Sequence, residues 1–372
     1  MNTKKTVSLC MIVRNEADCL LAAIQSVRDL TDEIIVIDTG STDNTPQLAL
    51  AAGAKLFHLN WMNNFSLARN FALKQASSDW ILVLDADEVL ESVNPETFYK
   101  LLNNAQIEGY YLHINNILGP TLGESQDQVV RLFRNKPAYH FEGAIHEQVV
   151  PSIVKANCGG VLVSAPLTLN HYGYLKDRLQ FKEKFLRNSQ ILNQELTKDP
   201  DNSFLHYCLG LEYYQQNSIS EGLQHLTKAI THMSGNEGYF EDTLLNIAFG
   251  YLYLEETSKL IDFSSMTLSM YPDQSHFLFL RGAAYLSQMN YPEAVEDFNH
   301  LLQIFGSRMT NNNSNSDDVK NIAQNYLSLA LKEIQLCSLA MANQNMEPMH
   351  FNTKDKIQRA LKEAILFFGQ RK

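Results

Sequence analysis

Three acidic residues follow the apolar run at residues 80–84 within four positions: Asp85, Asp87 and Glu88. A short apolar run of this kind is typical of a strand that is buried on both faces. Because side chains at i and i+2 of a strand point the same way, we expect Asp85 and Asp87 to converge just past its carboxyl end. Two carboxylates that lie close together favour a cation between them, and hard oxygen ligands suit Mg²⁺ or Mn²⁺. The simpler interpretation of these two acids alone is an acidic turn after a buried strand.

Polar residues also follow the other strands that we predict in the first 150 residues. The clusters are Arg14-Asn15-Glu16 after the first strand, Asp38 with Ser41 and Asp43 after the second, and Ser66, Arg69 and Asn70 at the start of a helix. The carboxyl ends of parallel strands share one edge of a sheet, and open α/β sheets bind ligands at that edge. Ser66 suits the N-cap of its helix, and Arg69 and Asn70 then fall in the first turn, where a helix N-terminus favours anions.

Acids, an arginine and amides that converge on one crevice suit a nucleotide with a diphosphate. In this interpretation Asp38 contacts a base or a ribose hydroxyl, the cation at Asp85 and Asp87 binds the diphosphate, and Arg69 adds a further positive charge. Two of these residues have structural alternatives. Asp38 equally fits a turn or a helix cap, and Arg69 equally fits an ion pair on the surface.

Strands and helices alternate in the first part of the chain. We predict strands at residues 7–13, 33–38, 55–58 and 80–84, with helices at 17–29 and 66–76. This alternation predicts a doubly wound, mainly parallel α/β sheet. Three further strands, at 110–114, 128–133 and 161–169, are expected to form the mixed-sheet part of the same domain, which spans residues 1–175.

The second half of the chain is predicted to be all-α. Residues 176–202 are expected to form a connecting helix, 203–308 tetratricopeptide-like repeats, and 309–372 a loop followed by capping helices. A small residue stands three positions before a tyrosine in three places, at Gly210, Ala248 and Gly282. Any amphipathic helical hairpin contains small and aromatic residues, so the prediction depends on the consistent register of the three matches. Such repeats form a concave surface, which we expect to hold an acceptor or a partner protein, or to mediate dimerisation.

The overall composition excludes several classes of protein. A net charge of -11 argues against nucleic-acid binding, because there is no basic surplus to neutralise phosphates. The five cysteines contain no CxxC pair, which fits a reducing compartment. No run of about 18 apolar residues occurs, so we predict no membrane span and a cytoplasmic location.

Several motifs resemble family 2 glycosyltransferases with the GT-A fold. They are SLCMIVRNE, EIIVIDTGSTDNT, NNFSLARNFAL and WILVLDADE. The segments from Arg131 to Arg134 and from Phe141 to Glu147, and the run His171-Tyr172-Gly173-Tyr174, are similar to a bacterial branch of that family with tetratricopeptide-like C-terminal helices. That branch includes lipopolysaccharide-core glucosyltransferase-like proteins and sublancin-type enzymes, which glycosylate a peptide cysteine. The resemblance covers roughly residues 6–175.

The resemblance implies transfer of a sugar from a nucleotide-diphosphate donor, with Mn²⁺ or Mg²⁺ and with inversion at the anomeric carbon. It implies that Asp38 contacts the nucleoside, that Asp85 contacts the donor ribose or the metal, and that Asp87 is the main metal ligand. The full set predicted to contact the nucleotide sugar is Arg14, Glu16, Asp38, Arg69, Asn70, Asp85 and Arg131. Thr39 follows Asp38 where the family usually has a second acid, so the identity of the nucleotide stays open.

Attack by an acceptor requires a general base. Glu147 is our candidate, with Glu142 as a weaker one. His146 would contact the metal or a phosphate, and His171 would contact the metal or the diphosphate on a loop that closes over the donor. The alternative for both histidines is a purely structural role.

Three hypotheses for the function remain at this level. The first is a glycosyltransferase that acts on a peptide or protein side chain, and the second is one that acts on a cell-envelope saccharide. The third is a catalytically silent GT-A scaffold whose repeats do the binding, and a hydrolase or a nucleotidyltransferase is a lesser alternative. The presence of Asp85, Asp87, Arg69 and Glu147 argues against the silent scaffold.

Overall fold

The computed structural model describes residues 5–117, 124–157, 161–173, 178–288 and 290–311. They divide into two compact units, the first ending at Lys198 and the second beginning at Asp199. The first unit contains a sheet with helices and the second contains helices, so the predicted class of α/β plus all-α is confirmed. The capping helices predicted beyond residue 312 lie outside the described residues. Within the described ranges, no helix is long and apolar enough to cross a membrane.

One eight-stranded sheet forms the centre of the first unit, in the order β3-β2-β1-β4-β7-β6-β8-β5. The strands are β1 (Val7–Val13), β2 (Glu33–Asp38), β3 (Lys55–His58), β4 (Trp80–Val83), β5 (Glu88–Leu90), β6 (Ile107–Ile117), β7 (Glu124–Arg134) and β8 (Val161–His171). The first four strands are parallel, whereas β7 runs antiparallel to both β4 and β6. The parallel half and the mixed half are therefore as predicted.

The helices of this unit are shorter than the sequence pattern indicates in places. They are α1 (Leu20–Ser26), α2 (Thr45–Ala51), α3 (Phe65–Gln75), α4 (Pro95–Leu102), α5 (Val150–Ala156) and α6 (Arg178–Lys198), with a 3-10 turn at Arg28–Leu30. The predicted N-cap of α3 is wrong. Asn64 is the cap, because its side chain accepts a hydrogen bond from the Leu67 amide at 2.9 Å, and Ser66 instead donates to the Gly143 carbonyl.

The register of the parallel strands brings two groups of acids to one edge. Val13 pairs with Asp38 across β1 and β2, and Cys10 pairs with Val83 across β1 and β4. Asp38 and the acids that follow β4 therefore leave the sheet at the same edge, one on each side of β1. Two strand spacings separate them, which is about 10 Å.

The chain turns immediately after β4, and this changes the expected geometry of the acidic run. Residues 85–87 lie outside any strand, and the Glu88 amide donates to the Asp85 carbonyl at 3.1 Å. The period-2 rule therefore does not apply to Asp85 and Asp87. Glu88 begins β5, which the sequence analysis did not predict, and pairs with His171 of β8.

The second unit contains three consecutive helical hairpins in its described part. The helices are α7 (Ser203–Gln215), α8 (Ile219–Thr231), α9 (Phe240–Tyr253), α10 (Thr257–Met270), α11 (Ser275–Ser287) and α12 (Tyr291–Asn311). The small residues of the predicted repeats lie where helices cross. A Cβ added at Gly210 would lie 2.7 Å from a side-chain carbon of Leu226 and 3.0 Å from the Gly222 carbonyl oxygen. Helix α12 continues to Asn311, past the position where the loop was predicted to begin.

Replacing Gly222 by alanine should destabilise the helical unit, although alanine normally favours a helix. The added Cβ would lie 2.3 Å from a ring carbon of Tyr214 and 2.7 Å from the Gly210 carbonyl oxygen, so two helices must move apart. We expect a loss of about 1–3 kcal/mol in the free energy of unfolding. Circular dichroism of thermal unfolding measures it. Gly238→Ala is the control, because nothing lies within 4 Å of its added Cβ. Equal midpoints for the two variants would contradict the close crossing.

Candidate functional site

Arg69 on α3 joins two acids that are far apart in the sequence. Its Nη2 donates to Asp85 Oδ1 at 2.8 Å, and its Nε donates to Glu147 Oε1. The residue is only 7% exposed, and its guanidinium carbon lies 5.5 Å from the centre of the Phe141 ring. Helix α3 thus presents a buried cation to the acids at the carboxyl edge of the sheet.

Arg131 on β7 contacts the same acids from the neighbouring strand. Its Nη2 donates to Asp85 Oδ2 at 2.8 Å and to Glu88 Oε1 at 2.5 Å. Both oxygens of Asp85 therefore accept a hydrogen bond from an arginine. We call Arg69, Arg131, Asp85, Glu88 and Glu147 the arginine–carboxylate cluster.

The pKa values of Asp85 and Glu88 are shifted in opposite directions by burial and by the neighbouring charges. Burial alone would raise the pKa of Asp85, but the positive charges of Arg69 and Arg131 outweigh it and hold the pKa well below its ordinary value. Burial raises the pKa of Glu88 above its ordinary value, although Arg131 opposes this change. Asp85 is therefore a fixed negative charge at neutral pH.

Two buried nitrogen atoms of the cluster have no hydrogen-bond partner among the described residues. They are Nη1 of Arg69 and Nε of Arg131. A buried N–H group without an acceptor costs about 1–3 kcal/mol, so native proteins rarely leave one unsatisfied. The cluster therefore has the capacity to bind further oxygen atoms, such as those of a phosphate or of water.

Asp87 pairs with a histidine rather than with Asp85. Its Oδ2 lies 3.6 Å from Nε2 of His171 on β8. Burial alone would lower the pKa of His171, but the hydrogen bond and the charge of Asp87 outweigh it and raise the pKa above its ordinary value. A Cβ at Gly173 would lie 2.5 Å from His171 Nε2 and 2.6 Å from Asp87 Oδ2, so only glycine leaves space beside this pair.

The Asp87–His171 pair fits a divalent cation. Imidazole nitrogen and carboxylate oxygen bind such ions at about 2.0–2.2 Å, so two donors separated by 3.6 Å can contact the same ion. Among the described residues, no three His, Cys, Asp or Glu side chains are close enough to hold a metal ion by themselves. Asp85, the other predicted metal ligand, has one arginine contact on each oxygen, and each oxygen keeps a second lone pair that a cation could use.

Asp38 is nearly fully buried at the end of β2. Its Oδ1 accepts a hydrogen bond from the Ser41 amide at 3.1 Å, and its Oδ2 lies 3.1 Å from Nδ1 of His58.

Arg14 and Glu16, the other two residues predicted near the nucleoside, follow β1. Arg14 is exposed where β1 ends. The amide of Glu16 donates to Thr45 Oγ1, and its carboxylate accepts from Cys19 Sγ at 3.1 Å. The predicted nucleoside-contacting acid thus lies at the same sheet edge as the cluster.

The segment that carries Glu147 is attached to the start of α3. The Phe65 amide donates to the Ala144 carbonyl at 2.8 Å, and Ser66 Oγ donates to the Gly143 carbonyl at 2.5 Å. The Asn70 side chain makes two hydrogen bonds with the backbone of Phe141. Its Nδ2 donates to the Phe141 carbonyl at 2.9 Å, and its Oδ1 accepts from the Phe141 amide at 2.7 Å. Asn70 therefore positions this segment in the structure, and Glu147 reaches Arg69 as a result.

His146 and Glu142 lie in the same segment as Glu147. His146 is exposed and has a backbone φ of 54°, in the left-handed region. Glu142 is exposed, and its Oε1 lies 3.2 Å from His140 Nε2. Of the three predicted residues in this segment, Glu147 is the one whose side chain is seen to accept a hydrogen bond from Arg69.

Three residues at the site were not among those predicted from the sequence. Glu88 binds Arg131, Asn116 contacts Nδ1 of His171 at 2.8 Å, and Gly173 leaves space beside Asp87. Glu88 is part of the acidic run and Gly173 is part of a quoted motif, so a local signal existed for both. No sequence signal marks Asn116, which lies inside a long strand.

Comparisons with known proteins find a family model that covers most of the site residues and ends before His171. The model of glycosyl transferase family 2 matches residues 8–161. A TPR repeat-containing protein of Synechococcus elongatus is 38% identical over 232 residues, which cover 60% of this chain and 56% of that protein. The SPbeta prophage-derived glycosyltransferase SunS of Bacillus subtilis is 25% identical over 244 residues, which cover 64% of this chain and 57% of SunS. The chain therefore spans little more than half the length of these relatives.

Proposed function

We propose that the chain transfers a sugar from a nucleotide-diphosphate donor to an acceptor, with inversion and with a divalent cation. The match of the glycosyl transferase family 2 model to residues 8–161 supports this proposal. One observation supports this most strongly. The carboxyl edge of the sheet combines a cation-binding pair, Asp87 and His171, with two buried arginines that have unsatisfied N–H groups. A diphosphate that binds a cation has the complementary charges and oxygen atoms.

We propose that the predicted residues contact different parts of the donor. Asp38 would contact the nucleoside, with Arg14 and Glu16 beside it at the end of β1. The arginine–carboxylate cluster lies about 10 Å away across the sheet, where the ribose and the diphosphate would follow. Asp85 would contact the ribose, and Arg69 and Arg131 would supply N–H groups and positive charge toward the diphosphate. Asn70 would act by holding the backbone at Phe141.

Asp87 and His171 are the residues of this chain that would hold Mn²⁺ or Mg²⁺. Magnesium and manganese commonly take one or two protein ligands together with substrate phosphates, which fits a pair of donors without a third side chain. When bound, such an ion stabilises the negative charge of the departing diphosphate.

The reaction itself requires one proton transfer. The acceptor atom attacks the anomeric carbon from the face opposite the diphosphate, and the bond from that carbon to the diphosphate oxygen breaks with its electron pair. The configuration at the carbon is inverted, and Glu147 takes the proton of the acceptor group. Arg69 holds Glu147 in place for this step through the Nε contact.

The helical unit is the proposed acceptor-binding or partner-binding part. Its hairpins repeat with close crossings, and repeat surfaces of this kind bind extended chain segments. A peptide or protein acceptor is therefore our first choice, and a cell-envelope saccharide is the alternative. Among the described residues, Cys10, Cys19 and Cys208 are not in disulfide bonds, which is consistent with the cytoplasmic location that we propose.

A thermal-shift panel tests the donor and the cation together. The wild-type chain is heated with UDP-, GDP-, TDP- and ADP-sugars, each with Mn²⁺ and each with a chelator. A ligand present at 100 times its dissociation constant stabilises the folded state by about 2.7 kcal/mol, so one nucleotide sugar should raise the midpoint by several degrees with Mn²⁺ only. If no nucleotide sugar shifts the midpoint, the silent scaffold is the better description. Mass spectrometry of acceptor mixtures then separates transfer from hydrolysis.

A further inference from the structure

A row of polar side chains crosses three strands behind the Asp87–His171 pair. Asn116 of β6 pairs with His171 of β8, and His171 pairs with Glu88 of β5. Asn116 is buried inside the sheet, whereas Asp127 on β7 is exposed beside it. A buried amide in this position must satisfy its donors and its acceptor within the protein.

Asp127 determines which way the Asn116 amide points. Nδ2 of Asn116 donates to Asp127 Oδ2 at 3.0 Å. A carboxylate only accepts hydrogen bonds, so the opposite orientation would place an amide oxygen against a carboxylate oxygen. The Oδ1 atom of Asn116 therefore faces His171.

The orientation of Asn116 in turn determines the tautomer of His171. Oδ1 of Asn116 lies 2.8 Å from Nδ1 of His171, and an amide oxygen only accepts, so Nδ1 carries the hydrogen. In the neutral ring Nε2 then has a lone pair. That atom lies 3.6 Å from Asp87 Oδ2, on the side where Gly173 leaves space.

We infer that Asn116 is a positioning residue for the cation site, because it holds His171 in the tautomer whose Nε2 lone pair faces Asp87, and that Asp127 sets the direction of this amide. The inference rests on the proposed function, in which Asp87 and His171 bind the cation. Partners that fix the second nitrogen of a metal-binding histidine commonly change metal affinity by 10–100-fold when they are removed.

Mn²⁺ binding to the full chain tests the inference without any activity. Electron paramagnetic resonance measures free Mn²⁺ during a titration with the ion alone. We expect Asn116→Leu to bind Mn²⁺ about 10-fold more weakly than wild type, and Asp127→Ala to bind it a few-fold more weakly. Asn115→Leu is the matched control, because Asn115 is the neighbouring asparagine on β6 and its side chain donates to Asn170 Oδ1 at 3.3 Å.

Nitrogen NMR of histidine-labelled, metal-free protein gives a second readout that a purely structural role would not change. The signal of His171 is assigned by comparison with His171→Ala. At a pH above the raised pKa of His171, where the ring is neutral, His171 should carry its hydrogen on Nδ1 in wild type and in Asn115→Leu. It should shift toward the Nε2–H form in Asn116→Leu and in Asp127→Ala. Asp127 is exposed, so its variant is expected to fold even if Asn116→Leu does not.

The outcomes separate the inference from the proposed function. If Asp87→Ala and His171→Ala bind Mn²⁺ as wild type does, both the cation site and the inference are wrong. If these two variants lose Mn²⁺ while Asp127→Ala and Asn116→Leu keep wild-type affinity and tautomer, only the inference is overturned. Weaker Mn²⁺ binding together with a changed His171 tautomer, in either Asn116→Leu or Asp127→Ala, supports the inference.

Discussion

Replacing Asp87 by asparagine is expected to remove cation binding and to lower sugar transfer by about 10²–10³-fold. The substitution keeps the size of the side chain but removes the only carboxylate that contacts His171 Nε2 within the described ion pairs. The amide oxygen is a weaker ligand for a hard cation than a carboxylate. Free Mn²⁺ measured by electron paramagnetic resonance, and transfer measured with the donor that the thermal-shift panel identifies, report the two effects.

Asp79→Asn is the control for this prediction. Asp79 stands directly before β4, at the opposite end of the strand from Asp87, and its carboxylate contacts Lys5 and Thr6. We expect this variant to keep wild-type Mn²⁺ affinity and transfer. Full metal-dependent transfer by the Asp87→Asn protein would show that another residue holds the cation.

Replacing Arg69 by methionine is expected to destabilise the first unit by about 3–5 kcal/mol. The variant leaves one oxygen of Asp85 and the carboxylate of Glu147 without their buried cation. Breaking a buried ion pair from one side costs more than the pair contributes, because a charge remains in the interior. Arg69→Lys keeps the charge, but lysine has no planar group that reaches both acids. The stability of this variant should therefore lie between those of wild type and Arg69→Met.

Tryptophan fluorescence measures the loss of stability in the first unit, which contains Arg69. Both tryptophans, Trp61 and Trp80, lie in the first unit, so their emission during thermal unfolding reports on that unit. Arg28→Met is the control, because Arg28 is exposed and contacts only the Ala52 carbonyl among the described hydrogen bonds. An unchanged midpoint for Arg69→Met would mean that the two acids do not depend on this arginine.

The parallel half of the sheet could be predicted well from local sequence. The bounds of β1, β2 and β3 agree with the prediction, because each is a short apolar or β-branched run that a polar residue ends. The convergence of Asp38, Arg69 and the acids after β4 on one edge also followed from the parallel arrangement. These features depend on pattern and topology, which a single sequence contains.

The contacts within the site could not be predicted in the same way. That Asp85 and Asp87 share a cation stays a prediction. The sequence did not indicate that Asp85 contacts two arginines while Asp87 contacts a histidine. Arg131 reaches Asp85 from an antiparallel strand 46 residues later, and Asn116 reaches His171 across 55 residues. Such pairings depend on strand register in the mixed half of the sheet, where no local pattern fixes it.

Anomalous diffraction from crystals grown with Mn²⁺ and a nucleotide diphosphate tests the central claim most directly. That claim is that Asp87 and His171 hold one divalent cation against the diphosphate at the carboxyl edge of the sheet. We predict a single strong manganese peak within about 2.0–2.3 Å of Asp87 Oδ2 and of His171 Nε2, with diphosphate oxygens completing its coordination. A manganese peak elsewhere, or a bound nucleotide whose diphosphate lies away from these two side chains, would contradict it.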